Sequence, residues 1–133
     1  MPARPGRPRV LLVDDDSRLV HIVTLYLQVQ RFEVFSAADA QSALDFLSRG
    51  LPELVICDVM MPGVDGITLC RQIRALPGGE RLPLIVFTAL SDTADLDAAR
   101  NAGADKVICK PFNLGGLGQA VQELLPDPIA ATA

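Results

Sequence analysis

A doubly wound α/β fold is predicted by this sequence, on three observations. Five short apolar runs rich in β-branched residues alternate with five stretches of helical character along the chain. Four of the five runs are continuous rather than alternating, as suits strands buried on both faces of a parallel sheet. Proline stands just before two of the runs, where a missing N–H is tolerated, and glycine falls where helices should end. Strand and helix in regular alternation build a sheet with helices on its faces.

The elements follow in order. Residues 10–13, Val-Leu-Leu-Val, are the first strand, and residues 17–30 the first helix. In that helix Leu19, Ile22, Val23, Tyr26 and Leu27 recur on one face, while Arg18, His21, Thr24 and Gln28 point to water. Ser17 is placed to cap it. Residues 32–35 are the second strand, and 38–48 the helix that ends before Gly50. Pro52 leads into the third strand, 54–57, and helix 65–76 stops before Gly78 and Gly79. Pro83 leads into the fourth strand, 84–87; Ser91 can cap the fourth helix, 92–101, which ends before Gly103. Strand 107–109 and helix 114–125 complete the series. Gly115, Gly116 and Gly118 each cost about 0.5–1 kcal/mol relative to Ala in a helix interior, so the last helix is expected to be soft in its first turns.

Composition sets limits on function. A chain of 133 residues has room for one core. Residues 1–8 are expected to be a flexible arm, 9–125 the folded domain, and 126–133 a flexible tail or linker stub. Half of the residues are hydrophobic and 21% charged, which excludes a disordered chain. A net charge of -4 without clustered Lys and Arg argues against direct nucleic-acid binding. The apolar stretch after the arm is too short for a secretory signal, and no run approaches the roughly 18 residues of a membrane span. Cys57, Cys70 and Cys109 are an odd number with no close-spaced pair, so neither a disulfide framework nor a zinc site is indicated. Cys57 and Cys109 are expected to act as small buried hydrophobes, and a reducing cytoplasm fits.

Right-handed crossovers put the carboxyl ends of all the strands on one rim, where open α/β sheets bind ligands. Asp14, Asp15 and Asp16 follow the first strand, Asp58 the third, Thr88 the fourth and Lys110 the fifth. If the first and third strands are neighbours, up to four carboxylates meet there. Two unit charges about 4 Å apart repel by roughly 4 kcal/mol at the effective dielectric of a protein surface, and a hard divalent cation is the usual compensation. Taken singly, an Asp at a strand end is a turn or cap residue, and a lone Thr or Lys there is unremarkable surface or strand chemistry. Their joint occurrence, in the order Asp-Asp, Asp, Thr, Lys, points to Mg²⁺-assisted phosphoryl transfer with Asp58 as carboxylate nucleophile.

The segments Val10-Leu11-Leu12-Val13-Asp14-Asp15-Asp16, Cys57-Asp58-Val59-Met60-Met61-Pro62-Gly63-Val64-Asp65-Gly66, Phe87-Thr88-Ala89 and Lys110-Pro111-Phe112 resemble those of the receiver domain of two-component response regulators. The resemblance runs from Arg9 to Leu125. It implies a flavodoxin-like sheet of order 2-1-3-4-5 with five helices. It also implies that Asp58 accepts a phosphoryl group from a sensor histidine kinase or phosphotransfer protein. Asp15, Asp58 and the Met60 carbonyl would ligate Mg²⁺, with Asp14 helping through water. Thr88 and the Ala89 N–H would contact the phosphoryl group, Lys110 would pair with it, and the Lys110-Pro111 bond would be cis. A downstream effector or output domain would read the result, a phosphorylation-dependent homodimer stays open, and no membrane is involved. Such a domain assists its own phosphorylation and hydrolysis without being a conventional enzyme. The chain departs from the family at Val107, where receivers often carry Tyr or Phe, which removes the ground for a Thr88-aromatic switch.

Two rivals share these residues. A Mg²⁺-dependent phosphatase of the haloacid dehalogenase kind would use Asp14 as nucleophile and Asp16 as acid/base, leaving Asp58 without a purpose. A flavin carrier would need hydroxyls and N–H groups in the first loop, where three Asp would repel its phosphate.

Overall fold

The structure, a computed structural model, describes residues 7–59, 66–88, 93–109 and 113–125. Strands β1 (Arg9–Val13), β2 (Glu33–Ala37), β3 (Leu54–Asp58), β4 (Leu84–Thr88) and β5 (Lys106–Cys109) form one parallel sheet of order β2-β1-β3-β4-β5. Helices α1 (Ser17–Val29), α2 (Ala40–Ser48), α3 (Gly66–Arg74), α4 (Thr93–Asn101) and α5 (Leu114–Leu124) connect and follow them. The predicted class and strand order are both met.

The core lies in two layers, one on each face of the sheet. Alternate residues of each central strand go to opposite faces. Leu11, Val13, Val55, Cys57, Leu84 and Val86 meet Ala43, Leu47, Leu69 and Ile73 of α2 and α3. Val10, Leu12, Leu54, Ile56, Ile85 and Phe87 meet Val23 and Leu27 of α1 and Leu117 and Val121 of α5. All five residues of β3 and of β4 are buried, which is why these runs are apolar without alternation.

Several boundaries and faces differ from expectation. The second strand runs from Glu33 to Ala37; Phe32 is buried just before it. Asp16, not Ser17, caps α1: its backbone is extended and its carboxylate accepts the N–H groups of Arg18 at 3.0 Å and Leu19 at 3.3 Å. Asp39 caps α2 by accepting the Ser42 N–H at 2.7 Å, so that helix starts at Ala40. Helix α3 ends at Arg74, and a 3-10 turn, Gly79–Arg81, fills part of the connection to β4. Ile22, expected on the buried face of α1, is half exposed. Cys109, expected to be buried, is exposed, whereas Cys57 and Cys70 are buried. The proposed cap Ser91 lies outside the described residues, as do residues 1–6 and 126–133 of the expected arm and tail.

Candidate functional site

Parallel register delivers the acidic residues to one place. Val13 pairs with Cys57, so the next residues of the two strands, Asp14 and Asp58, emerge side by side at the carboxyl rim. Asp58 pairs with Phe87, which leaves Thr88 one step further along β4. Thr88 in turn pairs with Cys109, at the end of β5. Asp14, Asp58 and Thr88 are all nearly buried, at 2%, 4% and 2% exposure, while Asp15 is exposed. The Asp14 N–H donates to Ala37 O at 3.0 Å, which ties the first loop to the edge strand.

One carboxylate oxygen from each of Asp14, Asp15 and Asp58 lies within 4.8 Å of the others. At an effective dielectric of about 20, charges at that separation repel by roughly 3 kcal/mol per pair. Buried charges of one sign need a counter-charge, and oxygen donors around an open approach are the ligand set of a hard cation such as Mg²⁺. The three residues fit that ion. The fourth expected member does not join them, because Asp16 is committed to the α1 cap. Asp14 Oδ1 accepts the Asp16 N–H at 2.9 Å, so the turn itself aims Asp16 away. That arrangement also removes the acid/base residue a phosphatase built on Asp14 and Asp16 would need.

Beside the cluster opens a cleft of about 450 Å³ lined by Asp14, Asp15, Ser17, Val20, His21, Thr24 and the β2–α2 segment Ser36, Ala37 and Ala38. His21 is exposed, as expected, and it borders this cleft. From the sequence His21 and Thr24 read only as polar surface; their place beside the acidic residues follows from the i, i+4, i+7 spacing of Ser17, His21 and Thr24, which puts them on one face of α1. Ser36 gave no signal at all in the sequence. Lys110, Met60 and Ala89, and the Lys110-Pro111 bond, lie outside the described residues. Val107 is partly buried against the α2–α3 layer.

Comparison with known proteins agrees with this geometry. Residues 10–122 match the model of the response regulator receiver domain. The DNA-binding response regulator MtrA of Mycobacterium tuberculosis is 39% identical over 106 residues, 80% of this chain and 45% of that protein. A putative response regulator from Chloroflexus aurantiacus superposes with a TM-score of 0.85 at 36% identity, covering 90% of this chain and 98% of that one. The receiver domain of a sensor histidine kinase from Pseudomonas aeruginosa, solved with a magnesium ion coordinated in the active site cleft, superposes at 0.82 with 27% identity. It covers 89% of this chain and 97% of its own. The chain therefore belongs to the receiver-domain family of two-component response regulators. It spans about half the length of the curated relatives it matches.

Proposed function

We propose that this domain takes a phosphoryl group from a phosphohistidine onto Asp58, with Mg²⁺ held by Asp14, Asp15 and Asp58. The observation that carries the reading is the approach of those three carboxylates within 4.8 Å at the sheet's carboxyl rim. A carboxylate oxygen of Asp58 attacks phosphorus, the phosphorus–nitrogen bond breaks, and its electron pair returns to the donor imidazole. The product is an acyl phosphate on Asp58. Mg²⁺, when bound, offsets the charge that accumulates on the phosphoryl oxygens. Asp14 and Asp15 hold that charge in register with Asp58, and burial of Asp14 and Asp58 keeps their carboxylates from wandering.

Thr88, at the end of β4, is assigned to a phosphoryl oxygen through its hydroxyl, and Lys110 and the Ala89 N–H to the same group. The Met60 carbonyl is assigned to the metal. Phosphorylation adds up to about two negative charges and three acceptor oxygens at this rim. Engagement of Thr88 then shifts the population of the face built from α4, β5 and α5, and a downstream effector or output domain reads that face. The donor is a sensor histidine kinase or phosphotransfer protein, and the setting is the cytoplasm. No helix of the described residues is long and apolar enough to cross a membrane. Some relatives are named DNA-binding, but they are about twice as long; this domain is assigned no direct contact with nucleic acid. Catalysis is confined to its own phosphorylation and hydrolysis.

The test is intact mass after incubation with acetyl phosphate and Mg²⁺. Wild type should gain one phosphoryl group and Asp58→Asn none. Equal gain by both would remove Asp58 from its role.

A further inference from the structure

Gly66, the first residue of α3, is buried against the end of β3. A Cβ placed on it would stand 2.7 Å from the Val59 Cα and 2.9 Å from the Asp58 carbonyl carbon, and closer still to the Asp58 carbonyl oxygen. Carbon atoms in good contact keep about 3.5 Å apart, so no side chain fits. The three nearest atoms it would meet all belong to the main chain, which cannot swing aside as the end of a long side chain does.

The neighbourhood is pinned from both directions. The Gly66 N–H donates to Val59 O at 2.8 Å, and the Val59 N–H donates to Phe87 O at 2.9 Å. The Cys57 thiol donates to the Asp58 carbonyl at 3.3 Å. Helix α3 is anchored by Leu69 and Ile73, both fully buried, and β3 is hydrogen-bonded on both sides. Strain introduced at residue 66 therefore concentrates on the Asp58–Val59 peptide, the segment from which the acceptor carboxylate projects.

We propose that Gly66 is a positioning residue for the phosphoacceptor: its lack of a side chain lets α3 lie against the Asp58 main chain and so sets where the Asp58 carboxylate stands relative to Asp14 and Asp15. The inference rests on the reading of Asp58 as phosphoacceptor and of the three carboxylates as a Mg²⁺ site. It adds a residue that touches neither ion nor phosphorus.

Gly66→Ala tests it, compared with wild type well below the melting temperature of both. Two quantities are read: the Mg²⁺ concentration that half-saturates the site in an isothermal titration, and the rate of mass gain from acetyl phosphate at saturating Mg²⁺. Loss of an outer support typically weakens metal binding about tenfold or more, and the half-saturating Mg²⁺ should rise by that factor. Labelling at saturating Mg²⁺ should slow about tenfold or more, as expected of a misplaced nucleophile. A merely structural glycine would lower the melting temperature and leave both quantities unchanged in the folded protein, and that result overturns the proposal. If Gly66→Ala does not fold, the same substitution is made together with Gly115→Ala, which adds helix propensity to α5. A double variant that still fails to fold also overturns the proposal, since Gly66 would then serve the fold rather than the site. Wild type that gains no mass would instead bring down the phosphoacceptor reading itself, and this inference with it.

Discussion

Gly115 and Gly118 lie in the same helix, α5, and meet different surroundings. A Cβ on Gly115 would find only the Asn113 carboxamide oxygen, at 3.5 Å. A Cβ on Gly118 would stand 3.1 Å from the Tyr26 ring, with the Tyr26 hydroxyl nearer still. Gly115→Ala should therefore raise stability by about 0.5–1 kcal/mol, the helix-propensity difference. Gly118→Ala should lower it by about 1–3 kcal/mol, the usual effect of overpacking, although the propensity gain is the same. Chemical denaturation of both variants separates the two, and a stabilising Gly118→Ala would show that α1 and α5 are not in close contact. Asp39 offers a second residue-level test. The Ser42 N–H, and then its hydroxyl, hold the Asp39 carboxyl below the ordinary carboxylate range. A pKa lower in the folded than in the unfolded state contributes stability above the unfolded value, near 3.9, and that contribution is lost as pH falls. Asp39→Ala should therefore lower the melting temperature at neutral pH, with the deficit shrinking on acidification; a pH-independent deficit would contradict the cap.

Helix ends show what the sequence discloses about elements and what it hides. Gly103 closes α4 with φ 112°, its N–H bonded to Arg100 O and the next N–H, of Ala104, to Ala99 O. Glycine is the expected residue for this left-handed closure, and its place was legible. Helix α1 closes in the same way around Arg31, with φ 73°, Arg31 N–H to Gln28 O and Phe32 N–H to Leu27 O. No glycine marks that end, so its boundary was drawn one residue late and the following strand one residue early. An arginine in the left-handed region is strained, and Arg31→Gly should stabilise the protein by up to about 1 kcal/mol. A destabilising result in chemical denaturation would mean that the Arg31 side chain makes contacts outweighing the strain. On the outer side of the same helix, Ile22, Leu25 and Val29 are 50%, 50% and 78% exposed at i, i+3 and i+7. Periodicity assigned Ile22 to the core because a stripe wider than the buried face reads the same in sequence. Ile22 and Leu25 each follow a cleft-lining residue, His21 and Thr24, so under the proposed function this exposed strip is a candidate seat for the phosphodonor. Paired Ile22→Ser and Leu25→Ser changes should slow transfer from a cognate kinase about tenfold or more, in line with loss of apolar anchors, and leave labelling by acetyl phosphate at the wild-type rate. Equal slowing with both donors would refute a docking role.

Across the whole molecule, one sheet joins two ends with different tasks. At the amino-terminal end of the strands, Arg74 donates to the carbonyls of Gly79, Leu82 and Gly103 and pairs with Asp105 at 3.1 Å, gathering the connections around β4 and β5. At the carboxyl end the sheet presents Asp14, Asp15, Asp58 and Thr88. The strands and the site's location were legible because apolar runs and the acidic or hydroxyl residues just past them follow from one rule of parallel sheets, whereas the strand order came from the resemblance of the motifs to receiver domains. The loss of Asp16 to a helix cap was not, since a carboxylate beside a helix start serves either purpose and only backbone geometry decides. Under the proposed function, the three clustered carboxylates repel each other in the folded domain until Mg²⁺ binds among them and turns that repulsion into stability. Melting of wild type and Asp15→Asn, each in chelator and in saturating Mg²⁺, tests it most directly. Relief of repulsion should make Asp15→Asn melt above wild type in chelator, and Mg²⁺ should raise the wild-type melting temperature with concentration as a native-state ligand must, but raise the variant's much less. A wild type that melts at the same temperature with Mg²⁺ as with chelator would contradict the account.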